Sequence, residues 1–165
     1  MVRDQGLQQV ADALGCPMDA DIQPGGHYRP VVRDGALLYV SGQLPRLNGQ
    51  IVSVGPVAPG EARQGHATLE QARHAARISA LRSLMLLQRE LGSLDGLRRV
   101  GRMTVYVHCS QDFTQHSEVA DAASDLLHEV LGEAGVHARS AIGVCQLPKN
   151  ATVEVELTAS VREAS

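Results

Sequence analysis

The most constraining feature of this sequence is a strict alternation of apolar and polar residues near its C-terminal end, over residues 151–160. Successive side chains of an extended chain point to opposite faces, so Val153 and Val155 share one face while Glu154 and Glu156 share the other. The apolar side can pack on a core, which leaves two carboxylates side by side on the opposite face. The stretch therefore predicts a half-buried strand in a sheet with one packed face and one polar face.

A second strand-like run, residues 139–146, precedes this strand, and residues 147–150, Leu-Pro-Lys-Asn, separate the two. Pro fixes its own φ and Asn tolerates unusual backbone angles, so this break predicts a turn that joins neighbouring strands. Arg139 stands at the start of the first run. We expect it to share the polar face with Glu154.

Three interpretations of the Arg139 and Glu154 pair are open from the residues alone. The plain structural one is a cross-strand ion pair without further role. In the second, the arginine binds the carboxylate of a ligand, because a guanidinium offers a planar fork of donors that fits a carboxylate. In the third, a glutamate beside such a bound acid orients or deprotonates a water molecule.

The remaining elements follow from hydrophobic period and turn signals. They are strands on either side of Asp34-Gly35, a turn at Asn48-Gly49, a helix over residues 65–91, a strand over 98–109 and a helix over 115–131. Helices and strands in this order indicate an α+β fold, in which two helices pack on one face of a mixed β-sheet.

The first residues of the chain predict an additional helix. Leu7, Val10 and neighbouring apolar residues recur at helical spacing, and Gly15 ends the pattern. We therefore expect residues 1–24 to form an N-terminal extension with a short helix, and residues 25–165 to form the main domain.

Composition and charge exclude several classes of partner. A net charge of −3, an isoelectric point near 6.1 and an aromatic content of 2% offer neither a basic surface for a phosphate backbone nor a stacking platform for bases. No nucleic-acid partner is expected. No stretch has the pattern of a signal peptide or the apolar length of a membrane span, so no membrane partner is expected either.

Three widely spaced cysteines, Cys16, Cys109 and Cys145, predict reduced thiols in a cytoplasmic protein rather than a disulfide framework. Cys109 and Cys145 stand in or beside strands and are expected to be buried and inert. None of the seven histidines lies four residues from another, so no metal site is predicted.

Three groups of residues carry a resemblance to a known family. The C-terminal group is Arg139-Ser140, Leu147-Pro148 and Val153-Glu154-Val155-Glu156. The others are Tyr28 with Val40-Ser41-Gly42-Gln43-Leu44-Pro45, and Val105-Tyr106-Val107 with Asp112-Phe113. In this order and spacing they resemble the signatures of the RidA family, also called YjgF/YER057c/UK114, over nearly the whole chain.

The resemblance implies a chorismate-mutase-like fold and a homotrimer with a central β-barrel, in which ligand clefts lie between subunits. It also implies an activity, the hydrolytic deamination of reactive 2-enamine and 2-imine acids to 2-keto acids and ammonia. Such an imine carbon is already electrophilic, so the protein needs only to fix the acid end and to place water about 3 Å from that carbon. No metal and no organic cofactor is implied.

When the family's functional residues are transferred to the matching positions of this sequence, the resemblance implies a role for each site residue. Arg139 is the clamp for the substrate carboxylate, and Glu154 holds or activates the water. Tyr28 lines the cleft, and Ser41 and Gly42 supply polar contacts near the ligand.

Two positions depart from the family pattern. Ser117 stands where an asparagine is often found early in the second helix, and it is taken as a further substrate contact. Ala141 stands where a cysteine is common. One alternative is therefore a non-hydrolytic small-molecule binder, or a pathway-specific protein, on the same scaffold. An endoribonuclease, the older label of the family, is a weaker alternative because the chain is acidic.

Overall fold

Three helices and seven strands form the part of the chain that this computed structural model describes, residues 2–162. In chain order these are α1 (Val2–Ala13), β1 (Val31–Asp34), β2 (Leu37–Gln43), β3 (Arg46–Leu47), β4 (Gln50–Ile51), α2 (Leu69–Leu91), β5 (Leu97–His108), α3 (His116–Leu131), β6 (Ala138–Val144) and β7 (Val153–Val161). Residue 1 of the predicted extension and residues 163–165 of the predicted domain lie outside the described residues.

Five strands form one mixed sheet in the order β1-β2-β7-β5-β6. β5 and β6 run parallel, and the other neighbouring pairs of this sheet are antiparallel. α3 connects β5 to β6, and parallel neighbours need such a crossover because the chain must return to the end at which it started. Asp34-Gly35 and Asn48-Gly49 join β1 to β2 and β3 to β4. The α+β fold with a mixed sheet is therefore confirmed.

One predicted neighbour relation is wrong, because β5 lies between β6 and β7. Residues 145–152 cross the end of β5 and contain a 3₁₀ turn, Pro148–Asn150, instead of a hairpin. The assignment of β7 side chains to the two faces of the sheet is as predicted, since buried and partly buried residues alternate along the whole strand. A period of two assigns side chains to faces, but it does not say which strands pair.

α2 and α3 pack side by side over one face of the sheet, and the core lies between the helices and the strands. α2 begins later than predicted because a capping box forms between Thr68 and Gln71. It ends where Gly92 adopts a φ of 77°. Ala72 and Ala76 are fully buried, and their small side chains let α2 lie close to its neighbours.

α1 is a third helix of this layer, where two were predicted. Leu7 and Val10 are buried in the same core as the sheet residues. The Arg3 guanidinium donates hydrogen bonds to the carbonyl oxygens of Leu94 and Leu97 at 3.1 and 2.7 Å. α1 is thus tied to the start of β5, whereas the boundary after residue 24 stays a prediction.

The opposite face of the sheet is left open by the three helices. It carries the polar residues of β7 and β5 together with Tyr39 and Ile142, each of which is nearly half exposed. Within residues 2–162, no helix has the length and apolarity needed to cross a membrane.

Candidate functional site

Glu154 lies in the middle of the sheet, beside an irregularity in β2. The register between β2 and β7 shifts between Val40 and Gln43, so Ser41 and Gly42 form a bulge at this point. A Cβ built on Gly42 would lie 1.9 Å from Oε1 of Glu154, so the glycine leaves open the space that the carboxylate occupies. The structure therefore brings together three of the predicted site residues, Glu154, Ser41 and Gly42.

The electrostatic environment of Glu154 favours its role as a proton acceptor. Burial, and after it the charge of Glu156, raises the pKa of the Glu154 carboxyl. Glu156 is itself held by the Tyr106 hydroxyl, which donates a hydrogen bond to Oε1 at 2.9 Å. A carboxylate with a raised pKa is a stronger base than an ordinary glutamate, so Glu154 can accept a proton from water.

A cleft of about 440 Å³ lies on the same open face of the sheet. Tyr28 and Ser41 line it together with Arg29, Arg102 and Glu156. The Tyr28 hydroxyl accepts a hydrogen bond from the backbone N–H of Gly25 at 3.0 Å, which closes the loop before β1 on itself. Tyr28 thus shares this cleft with Glu156 of β7, whereas Glu154 is not among the residues that line it.

Arg139 lies elsewhere. It stands in register with Met103, whose side chain is fully buried against the helices, so the arginine side chain points to the helix-covered face. Nη1 donates to Asp121 Oδ1 at 2.8 Å and to Ser124 Oγ at 2.9 Å, and Nη2 donates to the carbonyl oxygen of Ser117 at 3.5 Å. Ser117, which the sequence analysis gives as a substrate contact, thus meets Arg139 through its backbone carbonyl group.

The guanidinium of Arg139 borders a second cleft, of about 310 Å³, at the edge of the sheet. His137 also lines this cleft, and its ring nitrogens lie 3.1 Å from Ser124 Oγ and 2.5 Å from the carbonyl oxygen of Gly135. The imidazole is held in place by these two contacts, so it can shape the cleft beside Arg139.

Arg139 and Glu154 do not form the predicted pair within one chain. They point to opposite faces of the sheet, and β5 lies between their strands, which places their backbones about 10 Å apart. The cross-strand ion pair is therefore wrong, and the ion pair that Arg139 makes is with Asp121. The prediction failed because it placed β6 and β7 side by side, whereas β5 lies between them.

Two residues of the Arg139 environment, Asp121 and Ser124, were missed by the sequence analysis. With Ser117 they stand at positions i, i+4 and i+7 of α3, and such positions share one face of a helix. This spacing of polar residues on a largely apolar helix was a usable signal.

No group of three or more His, Cys, Asp or Glu side chains that could hold a metal ion occurs within the described range 2–162. The three cysteines are free thiols. Cys16 is buried, but Cys109 is only partly buried and Cys145 is exposed, so the expectation of buried thiols is wrong for Cys145.

Comparison with known proteins gives one family. The family model described as "YjgF/chorismate mutase-like, putative endoribonuclease" matches residues 8–161, from within α1 to the end of β7.

Three relatives illustrate the similarity. Protein TCP17 of Trypanosoma cruzi is 41% identical over 144 residues, which are 87% of this chain and 86% of that protein. The crystal structure of Atu1372, a protein of unknown function from Agrobacterium tumefaciens, has a TM-score of 0.82 at 32% identity and covers 98% of this chain and 94% of its own. A "putative endoribonuclease" from Shewanella oneidensis has a TM-score of 0.82 at 27% identity, covering 94% and 99%.

Proposed function

The chain belongs to the YjgF family, also called the RidA family, and on that premise we propose that it hydrolyses 2-imine and 2-enamine acids to 2-keto acids and ammonia. The observation that carries this proposal is the position of the Glu154 carboxylate, which occupies the space beside Gly42 and whose pKa is raised by burial. This is the environment of a general base.

Arg139 is proposed as the clamp for the substrate carboxylate. Its three hydrogen bonds to α3 fix the plane of the guanidinium and use three of its five N–H donors. The Nε side of the fork then serves the substrate. A fork held in one orientation loses little further entropy when the acid binds.

The position of Arg139 and Glu154 on opposite faces means that one small molecule cannot touch both in a single chain. We therefore propose that the site is shared between subunits of a homotrimer. Arg139 and Ser117 of one subunit would face Tyr28, Ser41 and Glu154 of the next. The open face of the sheet, with its exposed Tyr and Ile side chains, supplies a surface for this association.

The proposed reaction follows from these roles. Arg139 binds the carboxylate and orients the adjoining C=N carbon. Glu154 takes a proton from water as the oxygen attacks that carbon, and the imine nitrogen takes up a proton from solvent to give a carbinolamine. Proton transfer from the Glu154 carboxyl to the amine lets the C–N bond break while the hydroxyl group gives its proton to solvent, which releases ammonia and forms the keto group. An enamine enters the same route after it tautomerises to the imine.

The test is the rate of 2-keto acid formation from a 2-imino acid generated in the assay. Wild type should exceed the buffer rate, and Arg139→Ala should lower kcat/KM by roughly 10- to 100-fold, because one charged hydrogen-bonded contact is worth about 1.5–3 kcal/mol. Arg77→Ala is the matched control, since Arg77 makes a similar ion pair, with Glu129 at 2.8 Å, away from both clefts. A wild-type rate equal to that of buffer would refute the proposal.

A second candidate is a carboxylate binder without turnover. The ion pair between Arg139 and Asp121 favours it, because the aspartate competes with a ligand carboxylate. Calorimetric binding of a 2-keto acid that depends on Arg139, without acceleration of imine hydrolysis, would establish this candidate. The net charge of −3 disfavours an endoribonuclease, and the absence of salt-sensitive RNA binding would remove that function.

We also propose the partners of the protein and its location. The partners are a small carboxylate-bearing imine, enamine or keto acid and further copies of this chain. Neither a nucleic acid nor a membrane is a partner, and the proposed location is the cytoplasm.

A further inference from the structure

A third cleft, of about 400 Å³, lies where β5 and β6 end and α3 begins. It is separate from the clefts of Arg139 and Tyr28. Two of the three cysteines, Cys109 and Cys145, line it together with His116. The roles proposed above for the site residues leave this group without a function.

Cys109 is paired with an imidazole. Its Sγ atom lies 3.4 Å from Nε2 of His116, the first residue of α3. The ring of Phe113 meets the His116 ring edge-on, with 5.4 Å between centroids, and so holds its orientation. A Cβ on Gly143 would lie 2.5 Å from Nε2 and 3.1 Å from Sγ, so the glycine leaves room for the pair.

Cys109 and Cys145 are the first residues after the paired ends of β5 and β6. His108 and Val144 are the last partners of the parallel β5–β6 ladder, and the Cys109 N–H donates to the Val144 carbonyl oxygen at 3.3 Å. This bond closes the His108–Val144 pair, after which the chain bends at Cys145, so the two cysteines directly follow the last paired residues of β5 and β6 and line the same cleft. Neighbouring strands lie about 4.8 Å apart at the pair that the cysteines follow, and a disulfide needs a Cα separation of about 4.4–6.8 Å.

We propose that this cleft is a thiol–disulfide exchange site for small-molecule disulfides, in which Cys145 reacts first, Cys109 resolves the mixed disulfide and His116 is the base. Cys145 has the first role because it is exposed. Cys109 is only partly buried in the cleft wall and reaches Cys145 after the ligand has attached.

The chemistry balances in two exchanges. The Cys145 thiolate, after its proton has left to solvent, attacks one sulfur of the disulfide and releases one thiol. Cys109 then gives its proton to Nε2 of His116 as its sulfur attacks that of Cys145, and the leaving thiolate takes the proton. Two cysteines are oxidised to one disulfide, and the small disulfide is reduced to two thiols. Burial raises the pKa of Cys109, which is why a neighbouring base is needed.

The experiment uses the full chain with oxidised glutathione as the probe. Samples are quenched by alkylation and read as intact mass and cysteine-containing peptides. Wild type should pass through a glutathione adduct on Cys145 to a Cys109–Cys145 disulfide, while the buried Cys16 stays reduced. Cys109→Ser should accumulate the adduct, and Cys145→Ser should form neither product.

The base is tested separately. His116→Asn should form the adduct at the wild-type rate and resolve it about 10²-fold more slowly, the lower range for a general base. Gly143→Ala should also slow resolution, since it displaces the pair without removing a reactive group. Circular dichroism confirms that each variant is folded. A wild-type adduct that persists, or an unchanged rate of resolution in His116→Asn, would overturn the proposal.

Discussion

The division of the site between subunits makes a quantitative prediction for mixed oligomers. Arg139→Ala and Glu154→Gln should each be nearly inactive alone, since the first removes the clamp and the second removes the base. Within one chain the two residues lie on opposite faces with β5 between them, so neither variant can complete its own site. Together, however, they can form a complete site at a boundary between the two kinds of subunit.

The expected recovery follows from the symmetry of a closed ring. Each site takes its arginine from one subunit and its glutamate from the next. In an equal random mixture each requirement is met half of the time, so about one quarter of the sites are intact, with about one quarter of wild-type activity. Subunits are mixed by co-expression or by joint refolding, and imine hydrolysis is measured against the unmixed variants.

A double variant, Arg139→Ala with Glu154→Gln, is the control. Mixed equally with wild type, it should leave about one quarter of the activity if the site is shared, but about one half if each chain carries its own site. The reasoning is refuted if the two single variants recover nothing when mixed, or if the control mixture retains half.

Four further predictions concern single residues. Gly42→Ala places a methyl group where the Glu154 carboxylate lies, so it should displace the carboxylate and abolish most of the activity, while the free energy of urea unfolding changes by only about 0.5 kcal/mol because the end of the glutamate side chain can move. Glu154 acts as a base only when it is ionised, so activity should fall as the pH drops through its raised pKa. Glu156→Gln removes the neighbouring negative charge and should therefore move this acidic limb of the pH–rate profile to lower pH. A folded pKa above the unfolded one also means that stability falls as pH rises between the two, so Glu154→Gln should abolish that part of the decline in thermal unfolding. Leu7→Ala should cost about 2–5 kcal/mol in urea unfolding because Leu7 is fully buried, whereas a dispensable tail would show no change.

Local structure was largely predictable because it depends on local signals. The alternation of β7 fixed which side chains meet the core, and it correctly put Glu154 beside Glu156 on the open face. The end of α2 at Gly92 follows from the freedom of glycine to adopt a positive φ. Such signals are contained within a few residues of sequence.

The arrangement of strands was not predictable in the same way. A turn-like stretch between two runs normally indicates a hairpin, but α3 requires β6 to lie parallel beside β5, and β7 then pairs with the other side of β5. This long-range order decided the face on which Arg139 lies. The partner of Arg139, Asp121, was visible only as a position on a helix whose place on the sheet was unknown.

The most direct test of the central claim is a crystal structure of the wild-type protein with a 2-keto acid, the proposed product. The account predicts the acid at a subunit boundary, with its carboxylate on the guanidinium of Arg139 from one chain and its keto carbon facing the Glu154 carboxylate of the next. A keto acid bound away from Arg139, or a boundary that leaves Glu154 without access to the ligand, would contradict the account.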